Sequence, residues 1–80
     1  GYDMFTIEHG FEATSITLID DTATHLLEDV SINAFEDRIT IEQWDADHDQ
    51  MHRITLSMTQ AHDLAAALDL PEGVYQRSDT

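Results

Sequence analysis

Apolar and polar residues alternate in short runs along most of this chain, and only the last third changes period. Phe5-Thr6-Ile7-Glu8-His9 repeats every two residues and predicts a first strand, interrupted by Gly10. Ser15 to Ile19 predicts a second, with Ile16 and Leu18 on one face and Ser15, Thr17 and Ile19 on the other. Asp20-Asp21 ends it, because Asp side chains bond to nearby backbone and favour turns. Thr22 to Glu28 fits neither period, since Leu26 and Leu27 are adjacent. A loop, a helical turn and a short strand all remain open there.

Val30, Ile32 and Ala34 alternate with Ser31, Asn33 and Phe35 and predict a third strand. Glu36-Asp37 suits a tight hairpin into Arg38–Trp44, with Ile39 and Ile41 inward and Thr40 and Glu42 outward. Strict alternation puts Trp44 on the polar side, so it is either exposed or turned inward by a bulge. Asp45 to Gln50 reads as a longer hairpin loop, and Met51 to Leu56 as the returning strand with Ile54 and Leu56 inward.

At Ser57 the period changes. Ser57-Met58-Thr59-Gln60 fits the capping box, in which the serine accepts from the Gln60 amide and Gln60 reaches back. Met58, Ala61, Leu64, Ala65 and Leu68 then fall on one helical face. Pro71 disfavours helix at the residue before it, so the helix is expected to stop near Asp69. Val74-Tyr75-Gln76 is a candidate edge strand.

These elements predict an α+β fold: an antiparallel, meander-like sheet of four to five strands with one C-terminal helix packed on one face. One domain over residues 4–76 is expected, with 77–80 a flexible tail and 1–3, ahead of Met4, a tag remnant. A helix on one face leaves the other open. That outer face would carry Thr6, Glu8, Thr17, Thr40, Glu42, Arg53 and Thr55.

Charge narrows the functional classes. Seventeen acids oppose three arginines, there is no lysine, and the formal net charge is −14. A basic nucleic-acid footprint is absent. Like-charge repulsion disfavours direct binding to phosphate backbones or anionic lipid. A charge-driven partner should be basic; an acidic surface that only solubilises is the alternative. There is no cysteine, hence no disulfide framework. No apolar run approaches the roughly 20 residues of a membrane-spanning helix.

Candidate chemistry is sparse. Asp45, Asp47 and Asp49 begin like a calcium loop, but positions six and twelve hold Gln50 and Leu56 where that loop needs Gly and Glu. His48 and His52, placed across a loop and a strand start, are not expected to converge on a metal. His9, His25 and His62 are scattered. No nucleophile elbow surrounds a serine, no glycine loop suits a phosphate, and no carboxylate pair stands in an apolar setting. The expectation is a non-enzyme without metal or cofactor. Glu8, Glu42, Asp45, Asp47 and Asp49 are the candidate partner-binding acids; Trp44 is the candidate aromatic anchor, although a small core would benefit from its area and favours an inward position.

In length, lack of lysine, the acid stretches Asp20-Asp21, Glu36-Asp37 and DADHD, and a compact sheet with one helix, the chain resembles the small acidic proteins that phages use against bacterial defences. Anti-CRISPR proteins and other nucleic-acid mimics are that group. The resemblance implies an inhibitor in the bacterial cytoplasm that occupies a basic nucleic-acid-binding site, as on a CRISPR-type effector, and keeps DNA out. The alternative is a small homodimeric accessory or structural protein.

Overall fold

A computed structural model describes residues 4–19 and 28–76. The expectations for residues 1–3, 20–27 and 77–80 lie outside the described residues. Five strands run in chain order, β1 (Met4–His9), β2 (Thr14–Ile19), β3 (Val30–Ala34), β4 (Arg38–Asp45) and β5 (Gln50–Ser57), followed by α1 (Met58–Ala67). Every neighbouring pair is antiparallel, so the sheet is a meander of order β1-β2-β3-β4-β5. The α+β expectation of one antiparallel sheet and one C-terminal helix holds.

The register explains the alternation. Residues directly opposite one another share a face. Phe5 faces Leu18, Leu18 faces Val30, and Ile7, Ile16, Ile32, Ile41 and Ile54 form one unbroken row across all five strands. A second row joins Ala34, Ile39 and Leu56. The opposite face carries Thr6, Thr17, Ser31, Glu42 and Arg53 in the matching row. Ser15 Oγ donates to Asn33 Oδ1 across that face at 3.0 Å. A one-residue slip would exchange the two faces completely, so the apolar rows fix the register.

The tight β3–β4 hairpin turns at Glu36-Asp37, closed by the Phe35 amide donating to the Arg38 carbonyl at 2.9 Å. The Arg38 guanidinium lies 4.3 Å over the Phe35 ring and also pairs with Asp37 at 2.8 Å.

At α1 the capping box is complete. The Gln60 amide donates to Ser57 Oγ, and the Ser57 amide donates to Gln60 Oε1, both at 3.0 Å. The helix ends at Ala67, two residues before the expected stop. Asp69 and Leu70 instead donate to the carbonyls three residues back, a tightened last turn that Pro71 cannot extend. Val74-Tyr75-Gln76 is not a strand. The Tyr75 hydroxyl donates to the Pro71 carbonyl at 2.8 Å, which ties this segment to itself rather than to the sheet.

The helix covers less of the sheet than its apolar stripe suggests. It touches β5 and β4, and no other strand. Leu64 stays 48% exposed, and among the described residues no side chain is buried. The reason is length: ten residues rise about 15 Å, and a helix is only about 10 Å wide, whereas five strands spread over about 19 Å.

Two substitutions measure this. Ser57→Ala should cost about 1 kcal/mol by removing the cap. Leu64→Ala should cost only about 1 kcal/mol, below the roughly 2–5 of a fully buried leucine. Urea midpoints check both; a loss at Leu64 in the buried range would show that the helix is covered in solution.

Candidate functional site: the acidic end of the sheet

The β4–β5 hairpin closes with Asp45 opposite Gln50 and a four-residue turn over 46–49. Asp49 supplies the left-handed step at φ 53°, which Asp tolerates better than most residues. Asp45 organises the turn. Its Oδ1 accepts from the backbone amides of Asp47 at 3.1 Å and His48 at 3.3 Å. Its Oδ2 lies 2.8 Å from both His48 Nδ1 and His52 Nε2. These donors, His52 first and His48 next, hold the Asp45 carboxyl below its ordinary value.

This geometry corrects two expectations. Asp45 is the last residue of β4 rather than a loop residue, and its carboxylate is engaged inside the hairpin instead of offered outward. His48 and His52 do converge, but on Asp45. A β-turn folds His48 back over the strand end, while cross-strand pairing carries His52 alongside; spacing along the chain does not reveal this. Among the described residues, no group of three or more His, Asp or Glu is placed to hold a metal ion.

The segment entering β3 joins the hairpin. Val30 is opposite Gln43, and Gln43 Nε2 donates to the Glu28 carbonyl at 3.0 Å. Glu28, Gln43, Trp44, Asp45, Asp47 and His52 thereby line an open groove of about 390 Å³. Glu28 was not a candidate on sequence grounds. The signal that could have found it is the β3–β4 register, which brings the residues before Val30 level with the end of β4.

The predicted partner-binding residues separate into three places. Trp44, Asp47 and Asp49 sit with Asp45 at the hairpin. Trp44 is on the polar face opposite Met51, 39% exposed, with no bulge, so it is not a core residue. Glu42 lies inboard on that face, and Arg53 Nη2 pairs with its Oε2 at 2.9 Å. Glu8 is on β1, opposite Ser15, near the other end of the sheet and three strand spacings, about 14 Å, from β4. Of the five predicted acids, Asp45, Asp47 and Asp49 are thus together at one end of the strands, while Glu42 and Glu8 lie apart from them.

Asp45 makes the hairpin sensitive to acid. A carboxyl whose pKa is lowered on folding contributes stability above its unfolded value, and that contribution is lost as pH falls through the folded value. Urea stability of the native chain should therefore fall below the ordinary aspartate range, and Asp45→Asn should be less stable at neutral pH and lack this part of the acid dependence. Asp49→Val should cost about 1–2 kcal/mol through the left-handed backbone, whereas Asp49→Gly should be neutral or slightly stabilising.

No curated protein and no solved structure matches this chain. No helix among the described residues is long and apolar enough to cross a membrane. A family match covers residues 6–67, from within β1 to the last residue of α1. By that match the chain belongs to the family described as a domain of unknown function, DUF8831.

Proposed function

We propose that this chain is a non-enzymatic binding protein whose acidic end occupies a basic, nucleic-acid-binding site on a bacterial protein, such as a CRISPR-type effector, and thereby excludes DNA. The observation that carries the reading is the grouping of Glu28 and Asp47 beside Trp44 around one groove, with Asp49 two residues on in the same turn. Asp47 and Asp49 are exposed at the hairpin tip. The nearest strand arginine, Arg53, is already engaged by Glu42. Carboxylates so placed would meet the Lys and Arg that hold phosphates, and Trp44 would supply the apolar anchor. The phage-type resemblance points the same way and sets the action in the bacterial cytoplasm.

A second reading, a small homodimeric accessory or structural protein with a solubilising surface, is favoured by the acids that lie elsewhere. Glu12, Glu36 and Asp37 are at the opposite end of the sheet, and Asp69 and Glu72 follow the helix.

The test begins with capture of partners from bacterial lysate at low and high salt, followed by competition with DNA on the captured protein. Binding should weaken with salt and be mutually exclusive with DNA. Asp47→Lys with Asp49→Lys should slow association more than it speeds dissociation, because steering acts on encounter. Asp45 is left intact, since its loss disturbs the hairpin. Simultaneous binding of the protein and DNA, without salt dependence, overturns the reading.

A further inference from the structure

We infer that the outer edge of β1 is a strand-pairing interface, taken up in solution by the same edge of a second copy. Backbone geometry carries the inference. β1 is an edge of the sheet, and among the described residues no strand lies on its outer side. Where the β1–β2 hairpin closes, the Gly10 amide donates to the Ala13 carbonyl at 2.9 Å. Hydrogen-bonded and non-hydrogen-bonded pairs alternate along an antiparallel ladder. Counted back from that closure, Glu8–Ser15, Thr6–Thr17 and Met4–Ile19 exchange bonds, while His9–Thr14, Ile7–Ile16 and Phe5–Leu18 do not. The amides and carbonyls of Phe5, Ile7 and His9 therefore point away from β2, along a strand whose residues are all exposed.

Nothing blunts this edge. Sheet edges are ordinarily guarded by Lys, Pro, a bulge or a very short strand. β1 has neither Lys nor Pro, pairs with β2 without a bulge and is 6 residues long. The other edge differs: β5 runs directly into α1, which contacts it.

Register and charge identify the occupant. The outward-pointing set is symmetric about Ile7. A single antiparallel register pairs all of it with a second copy, Ile7 opposite Ile7 and Phe5 opposite His9 in both directions. A two-fold axis through the Ile7 pair generates this contact, which is therefore closed. Directly opposite residues share a face, so the isoleucine row of one copy runs on into that of the other. On the polar face Glu8 meets Thr6 of the second copy, and no like charges stand opposite one another. The same axis sends the two β4–β5 tips to opposite ends. It also leaves the two β4 strands seven strand spacings apart, about 34 Å, well beyond the roughly 8–10 Å over which salt screens charge. Two chains of charge −14 can meet here. A basic extended segment, by contrast, finds only Glu8 to answer it on β1.

The groove at the β4–β5 tip stays open in this pairing. Capture and DNA competition thus report on the acidic end, and oligomeric state reports on this edge.

The experiment is sedimentation velocity of the native chain over a concentration series. The expected result is a reversible species of twice the 9.1 kDa chain mass. Thr6→Lys puts a cation opposite Glu8 of the second copy and should tighten the dimer several-fold; Thr6→Glu puts an acid there and should weaken it several-fold. Thr17→Lys and Thr17→Glu make the same charge changes one strand inward on the same face and should shift it less. Ile7→Pro removes an outward amide but no bond to β2, and should give a monomer whose sheet persists by circular dichroism. Where Ile7→Pro unfolds the chain, the Thr6 variants decide. A native chain that stays monomeric at every concentration, grows past the dimer, or dimerises equally well with Thr6→Lys and Thr6→Glu overturns the proposal.

Discussion

A sheet with one apolar face must cover it, and among the described residues the one helix beside this sheet is ten residues long. That shortage governs the rest of the structure. The five strands agree in register because their apolar rows agree, and the rows agree because each strand alternates without a bulge. The polar face follows from the same alternation, with its Ser15–Asn33 and Glu42–Arg53 cross-strand pairs. The helix, committed by its capping box to start directly at the end of β5, lands on that edge of the sheet and stays there. An apolar face larger than its cover is the result.

The fold was legible because its determinants are local. Period-two alternation marks each strand and assigns each residue a face. Ser57 and Gln60 mark the helix start within four residues of sequence. Counting alone put Trp44 on the polar side but could not decide between exposure and an inward turn by a bulge, which only the unbroken register settles. The site was less legible, because it depends on which strand end lies beside which. His48 and His52 reach Asp45 by two routes, one through the turn and one across the ladder. Glu28 comes beside the hairpin only through the pairing of Val30 with Gln43. Glu36-Asp37 and DADHD look alike as sequence; topology sends them to opposite ends of the strands. The extent of helix cover was missed for a different reason. An apolar stripe says that a helix has something to bury, but not how wide a surface it must span.

The acidic end and the apolar rows are physically different parts of one sheet: charge is felt over several ångströms and is screened by salt, whereas apolar burial acts only at contact. Asp45 stands where they meet, on the apolar side of the strand but at the acidic end, with both its oxygens engaged. It fixes the tip without adding an unpaired carboxylate to the edge of the apolar face.

The meander order has a kinetic meaning as well. Each strand pairs with the one that precedes it in the chain, so almost every closure joins residues a few positions apart. Loop closure of that kind costs little entropy, and chains dominated by it fold fast. The β4–β5 hairpin has the longest paired strands, eight residues each, around a short turn. Its neighbour α1 begins without any linker. This C-terminal half can therefore assemble first as a nucleus, with β3 added across a two-residue turn. The β2–β3 connection is the longest in the sheet, spanning 20–29, so joining the β1–β2 hairpin to the rest costs the most closure entropy. The part of the sheet farthest from the helix, β1 and β2, is thus also the part held across the longest connection.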